Sequence, residues 1–356
     1  MLTADAIKRR AHEIGFDVCG VAPAAAFPEL ARLPDWLASG YAGDMAYLAR
    51  TADTRADVRR YLPSARSVIV TGTLYHVDSK ADGSPEPGSA RVARYARGAD
   101  YHRVLSERLA ELVGWMRAHA DRSFEAAIFV DKHPVQERVY AQYAGVGWIG
   151  KNTCVINPEL GSWLLLAGVA CSVELDADPP ATDLCGSCTI CLDACPTGAL
   201  VEPHVLDATQ CISYLTIELH GSIPERLRPA VGDHLYGCDI CQEVCPFNLA
   251  SPSTNDVAWQ PSPSRDRPSA ADLFELDDAE LRRHIDDSAM TYTSLSRLRR
   301  NLAVILGNAM LARSAAALDR PGHGIRNAAA SATTPLVREH VEWAKARFEA
   351  PDDDRY

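Results

Sequence analysis

Residues 185–196 read CGSCTICLDACP, four cysteines in twelve positions closing on a proline. The spacing of Cys185, Cys188, Cys191 and Cys195-Pro196 is that of bacterial ferredoxins. There one tight loop offers three thiolates to one iron–sulfur cubane and the fourth cysteine reaches a neighbouring cluster. Thiolates are soft donors that suit such clusters. A second group, CDICQEVCP at 238–246, brings Cys238, Cys241 and Cys245. These lie fifty positions beyond Cys188, Cys191 and Cys195, whereas fifty beyond Cys185 falls on Leu235, so the repeat lacks one ligand. Cys211, in CISYLTIE, is the nearest cysteine able to replace it. Crossing the halves as the bacterial pattern requires gives one [4Fe-4S] cluster on Cys185, Cys188, Cys191 and Cys245, and a second on Cys195, Cys211, Cys238 and Cys241. Zinc is the competing reading, but a four-ligand zinc site strands four further cysteines and leaves both Cys-Pro endings unexplained. Cys19, Cys154 and Cys171 stand in apolar surroundings and read as small buried hydrophobes.

The rest of the chain is too long for a bare ferredoxin. It has 356 residues, 47% hydrophobic and 23% charged, the mix of a protein that buries substantial cores. No run of eighteen apolar residues appears. The N-terminus, MLTADAIKRRAHEIGFDVCGVA, reads as an amphipathic helix entering a strand and lacks the apolar centre of a secretory signal, so a cytoplasmic protein with no membrane contact is expected. Eleven cysteines, an odd count, in a reducing compartment argue for metal or redox chemistry over disulfides. The net charge of −11 argues against sequence-independent nucleic-acid binding. Two local basic groups, Arg91/Arg94/Arg97/Arg103 and Arg297/Arg299/Arg300, read first as solvated faces.

Patterning divides the chain into four consecutive segments. Residues 1–175 alternate strand-like runs, such as SVIVTGTLYH and EAAIFVD, with the helical stretch DYHRVLSERLAELVGWMRAHA, which predicts an α/β domain. A loop is expected over 77–90. Residues 176–250 hold eight of the eleven cysteines and predict a ferredoxin-like insert stabilised by its metal. Pro- and Ser-rich residues 251–270 read as a linker or wrapping segment. From 271 to 356 the pattern is helical, with LFELDDAELRRHI, SLSRLRRNLAVILGNAML and TTPLVREHVEWAKARFEA as candidate helices, and PDDDRY as an acidic tail. Leu295, Leu298, Leu302 and Ile305 form an apolar stripe with the arginines off it. In AGVGWIGKNT, Gly145, Gly147 and Gly150 imitate a dinucleotide fingerprint, but a strand–turn–strand pattern follows where a helix is needed. The glycines are expected to let backbone approach a bulky ligand closely.

Three stretches, VDKHPVQERVYAQYAGVGWIGKNTCVINPELGSWLLLAG (130–168), DLCGSCTICLDACPTGALVEPHVLDATQCISYLTIELHGSIP (183–224) and GDHLYGCDICQEVCPFN (232–248), resemble the epoxyqueuosine reductases of tRNA queuosine biosynthesis. The resemblance covers roughly residues 1–310. It implies a cobalamin in the α/β domain beside two [4Fe-4S] clusters, a C-terminal HEAT-like helical region, and a tRNA anticodon stem-loop carrying epoxyqueuosine as substrate. It also implies an external electron donor such as a flavodoxin or ferredoxin; a monomer is expected. By the same resemblance Asp131 of FVDKHP is the proton donor, and a desolvated carboxyl that keeps its proton is expected there. The family usually has Thr-Gly or similar after this aspartate; here stand Lys132 and His133, which puts the local loop shape in question. Arg55, Asp131, Val155, Leu166, Ser213 and Asp239 are expected cobalamin contacts, several through backbone. Arg138, Lys151 and Arg297–Arg300 are expected at RNA phosphates. The alternatives are a reductive dehalogenase-like cobalamin enzyme and a non-catalytic electron-transfer iron–sulfur protein.

Overall fold

In the computed structural model, which describes residues 2–78, 88–311 and 334–349, helix Ala4–Ile14 (α1) begins where the Thr3 hydroxyl accepts the Ala6 N–H. It ends at Gly15, whose φ of 106° supplies a left-handed cap. The chain passes straight into strand Val18–Pro23 (β1), the helix-to-strand entry read from the sequence. Ser67–Leu74 (β2), helix Tyr101–His119 (α2), Ala126–Phe129 (β3), helix Glu137–Tyr143 (α3), the short strands Trp148–Ile149 (β4) and Val155–Ile156 (β5), and Leu164–Cys171 (β6) follow. The main sheet has the order β1-β2-β6-β3. Its helices and strands alternate as predicted, yet all three ladders are antiparallel. Apolar patterning specifies which faces are buried, not which way neighbouring strands run.

β2 is buried at every position, so both faces of the sheet are covered. Ala22, Val68, Val70 and Ala170 present one face, on which Val139, Tyr140 and Ala141 of α3 pack. That packing fixes α3, and the loop before it, against the end of β3.

The described chain forms two compact units, each assembled from separated stretches: 1–76, 100–208 and 240–258 in the first, 77–99, 209–239 and 259–356 in the second. These units do not follow the four consecutive segments drawn from patterning. The cysteine-rich stretch is divided between them, and Trp259 and Arg265 of the expected linker are buried. The expected loop lies largely at 79–87, outside the described residues, as does the PDDDRY tail.

The second unit contains helices Ile212–Ile217 (α4), Ala270–Glu275 (α5), Asp278–Ile285 (α6), Leu295–Leu311 (α7) and Pro335–Glu349 (α8). LFELDDAELRRHI is two helices, not one. Asp277 accepts the Glu280 N–H while Glu280 accepts the Asp277 N–H, a reciprocal cap that starts α6 afresh. In α7 the Leu298, Leu302 and Ile305 stripe is buried as predicted, but so are Arg299 and Arg300.

These arginines are not RNA contacts in waiting. Arg300 donates to the carbonyls of Leu215 (2.5 Å), Leu219 (2.7 Å) and Gly221 (2.6 Å) around the end of α4. Arg299 donates to the carbonyls of Phe274 (3.0 Å) and Leu276 (2.8 Å) at the end of α5. Arg297 donates to Ile217 O at 2.7 Å. A guanidinium's fork of donors suits the unpaired carbonyls at helix C-termini. Burial pulls the Arg300 pKa down to about 9. Arg300→Ala, which orphans these carbonyls, is expected to cost about 3 kcal/mol in urea unfolding, with RNA affinity per folded molecule unchanged.

Candidate functional site

Strand β3 runs out at Phe129, and two residues later Asp131 takes the left-handed backbone (φ 45°), rare for a residue other than glycine but tolerated by aspartate. The turn is tight, with the Lys132 N–H on Val130 O at 2.5 Å. The Asp131 N–H donates to Glu137 Oε1 at 2.5 Å, tying the loop to the first residue of α3. His133 folds back so that its Nδ1 takes the Val130 N–H at 3.1 Å, and its ring meets Tyr61 edge-on, so its side chain serves the loop's own shape.

The Asp131 carboxylate is 60% exposed. Its Oδ2 accepts the Tyr101 hydroxyl at 2.8 Å and stands 3.3 Å from His102 Nε2. Both partners come from the first turn of α2, which Asp100 caps by accepting the His102 N–H. Partial loss of hydration works to raise the Asp131 pKa, but the hydrogen bonds from His102 and Tyr101, with the charges of His102 and Arg138, hold it below the usual carboxylate range. The expected proton-holding carboxyl is therefore not what the fold builds at Asp131. It builds one at Glu137, which burial and the adjacent Asp131 charge push up to about 8, with Arg138 and Arg55 offsetting only part.

A raised acid keeps its proton in the folded chain after the unfolded chain has lost it. Stability from Glu137 is therefore full below its ordinary pKa of 4.5 and is lost as pH rises towards 8. Glu137→Gln is expected to remove that slope, so its melting temperature relative to wild type should climb between pH 5 and pH 8 in thermal scans.

Arg55 is brought to the same place. It donates to Thr51 Oγ1 (2.9 Å) and Val135 O (3.3 Å), within electrostatic reach of Glu137 and Asp131. The other expected cobalamin contacts are placed differently. The Val155 side chain is buried in the core and Leu166 packs against that core, which leaves their backbone rather than their side chains for a ligand. In the second unit Ser213 lies in α4, and Asp239, 2% exposed, accepts the Arg94 N–H at 2.8 Å.

The cysteines of the first cluster gather within the first unit. Burial raises the Cys191 thiol, as do the charges of Cys185, Cys245 and Cys188; burial likewise raises Cys245, with Cys185, Cys188 and Cys154 adding to it. Two thiols raised by the sulfurs beside them suit a cationic cluster core, which releases their protons. Among the described residues no group of three or more His, Cys, Asp or Glu side chains could hold a single metal ion. A cubane asks for something else, one thiolate at each of four irons. Trp148 Nε1 donates to Cys185 Sγ at 3.4 Å, an N–H···S bond of the kind that tunes cluster potential. Cys195, expected in the second cluster, is half-buried; burial works upward, but hydrogen bonds from Thr197, Ala199 and Leu200 outweigh it and lower its pKa. Cys241 belongs to the first unit, Cys211 and Cys238 to the second, where Cys211 opens α4.

AGVGWIGKNT proves to be a buttress for the cysteine loops. Lys151 Nζ donates to the carbonyls of Gly186 (2.7 Å) and Cys188 (2.9 Å), so the expected phosphate contact is spent on the ferredoxin loop. Asn152 Nδ2 donates to Cys241 O at 3.1 Å. The strand–turn–strand pattern holds as β4 and β5. The glycines admit protein rather than ligand: a Cβ on Gly147 would stand 2.4 Å from Ile156 O, and one on Gly145 2.8 Å from Pro179 O. Arg138 is exposed and donates to Thr153 O at 3.0 Å. Cys19 and Cys171 are buried as expected, with thiols pushed up to about 12 and about 11. Cys154 is only partly buried and lies near Cys245.

Sequence reading missed Tyr101, His102 and Glu137. Asp100-Tyr101-His102 at a helix start carries an N-cap signal that explains the aspartate without hinting at its neighbours. Glu137, six residues past Asp131, reads as first-turn helix acid.

Residues 184–248 match the family "4Fe-4S double cluster binding domain", and residues 55–132 match "Epoxyqueuosine reductase QueG, DUF1730". The epoxyqueuosine reductase of Gloeobacter violaceus is 43% identical over 312 residues, covering 86% of this chain and 96% of that one. That of Xanthomonas campestris pv. campestris is 39% identical over 345 residues, covering 96% and 95%. Among solved structures, an epoxyqueuosine reductase with an epoxyqueuosine-modified tRNA stem loop superposes with a TM-score of 0.82 at 26% identity, over 97% of this chain and 98% of that one. The Bacillus subtilis epoxyqueuosine reductase, whose catalytic aspartate loop is swung out of the active site, gives 0.85 at 26%, over 98% and 90%. Among the described residues no helix is long and apolar enough to cross a membrane. With 43% identity spread over most of both chains, the protein belongs to the epoxyqueuosine reductase family.

Proposed function

We propose that this protein reduces epoxyqueuosine to queuosine at the wobble position of a tRNA anticodon. The observation that carries the reading is the Asp131 carboxylate, held at the end of β3 by Tyr101, His102 and Glu137 in a chain of this family. Converting an epoxide to an alkene takes two electrons and two protons and releases the oxygen as water. Asp131 is exposed on the side that Tyr101 and His102 leave open, and there it delivers a proton to the departing oxygen. When bound, two [4Fe-4S] clusters and cobalamin supply the electrons and the low-potential reductive chemistry.

Cys185, Cys188, Cys191 and Cys245 hold the first cluster and Cys195, Cys211, Cys238 and Cys241 the second. Arg55, Asp131, Val155, Leu166, Ser213 and Asp239 are the proposed cobalamin contacts, Val155 and Leu166 through backbone. Arg138 is retained at an RNA phosphate. The region from residue 271 is read as HEAT-like and as part of the grip on the anticodon stem-loop. The electron donor is proposed to be a flavodoxin or ferredoxin, and the enzyme a cytoplasmic monomer. Expression in a bacterial strain whose tRNA accumulates epoxyqueuosine tests the reading. Nucleoside mass spectrometry should show epoxyqueuosine replaced by a species lighter by one oxygen, and unchanged tRNA in cells making folded, cofactor-loaded protein would overturn it.

A further inference from the structure

Asp131 faces a difficulty that its surroundings also answer. A carboxyl held below its ordinary range is ionised at neutral pH and has no proton to give. His102 lies beside it, with its side chain 14% exposed, between two carboxylates: Nδ1 is 2.8 Å from Asp100 Oδ1 and Nε2 is 3.3 Å from Asp131 Oδ2. Asp100 also accepts the His102 backbone N–H at 3.0 Å, which fixes it as the Nδ1 partner. With Nδ1–H committed to Asp100, the mobile proton of the imidazole is the one on Nε2, aimed at Asp131. The Tyr101 ring stacks on the imidazole with centroids 4.0 Å apart, while its hydroxyl holds the same Oδ2.

We propose that His102 loads Asp131 with the proton it delivers. The inference rests on the reading that Asp131 protonates a leaving oxygen. In the step, the Nε2–H bond of the imidazolium breaks and an Oδ2–H bond forms, leaving neutral imidazole and neutral carboxylic acid. Asp131 passes that proton to the departing oxygen, returns to a carboxylate stabilised by Tyr101, and His102 regains a proton from water. His102 acts through Asp131, which its Nε2 faces at 3.3 Å, by supply and orientation. The groups facing the pair are Asp100 and Tyr101 on α2's first turn, Glu137 and Arg138 on α3, and Arg55; Glu137 keeps its own proton beside the Asp131 charge, which the two arginines stabilise.

The test uses His102→Gln and Asp100→Asn in the anaerobic, cofactor-loaded protein acting on an epoxyqueuosine-containing anticodon stem-loop. His102→Gln should lower kcat about 100-fold with KM unchanged within about threefold, and free imidazole should restore it substantially. Asp100→Asn keeps a competent helix cap and should lose about tenfold, through the wrong tautomer. Wild-type kcat in His102→Gln, or a loss that imidazole does not repair, overturns the proposal. Nitrogen-15 NMR of the labelled histidines gives a second readout that needs no turnover. His102 should carry its fixed proton on Nδ1, and Asp131→Asn should shift its Nε2 signal; an Nε2-only tautomer, or no response to Asp131→Asn, contradicts the relay. If wild type fails on the substrate while the NMR signature is present, the functional reading fails and the pair stands.

Discussion

Asp131→Asn is expected to lower the rate of epoxyqueuosine reduction by about 10²–10⁴-fold, with iron, cobalamin and stem-loop affinity retained. Asparagine tolerates the left-handed backbone that residue 131 adopts, so the turn between Val130 and Lys132 should survive. The Asp131 N–H on Glu137 is a backbone donor and is untouched. What the amide cannot do is take a proton from His102 and surrender it. Single-turnover kinetics separate this from a folding defect: wild-type cofactor spectra with a slow chemical step are the expected pair of results. Wild-type turnover would remove Asp131 from the reaction.

Cys191→Ser should have the second large effect. The Cys191 thiol resists ionisation through burial and through the charges of Cys185, Cys245 and Cys188, the chemical signature of four sulfurs meant to share one cationic core. Losing one of the four is expected to cut iron from about eight to about four per chain and to abolish reduction. Cys171→Ala is the matched control. Its thiol, fully buried and pushed up to about 11, is no thiolate, so iron should stay at about eight per chain. Iron and sulfide analysis of anaerobically reconstituted protein reads both. Equal iron in Cys191→Ser and wild type would refute the assignment of the first cluster.

Much of this was legible in the residues. The cysteine spacing pointed to a double-cluster segment, which residues 184–248 match. β2, α1, α2 and α7 lie where patterning placed them. Three things were hidden, each for a physical reason. Antiparallel pairing leaves the same apolar faces as parallel pairing. Arg299 and Arg300 lie off the leucine stripe, and only the carbonyl ends of α4 and α5, distant in sequence, explain their burial. Lys151 read as an RNA-phosphate contact, because the carbonyls that it and Asn152 hold belong to the distant Gly186, Cys188 and Cys241. Asp131 itself needed the resemblance: a strand-end aspartate before a turn is ordinary, and the array of Tyr101, His102 and Glu137 around it has no local signature.

The most direct measurement is anaerobic conversion of an epoxyqueuosine-containing stem-loop by protein carrying its iron–sulfur clusters, with and without added cobalamin, followed by nucleoside mass spectrometry. Loss of one oxygen only when both cofactors are present is the predicted result. Conversion without a corrinoid, or none by the fully loaded protein, would contradict it.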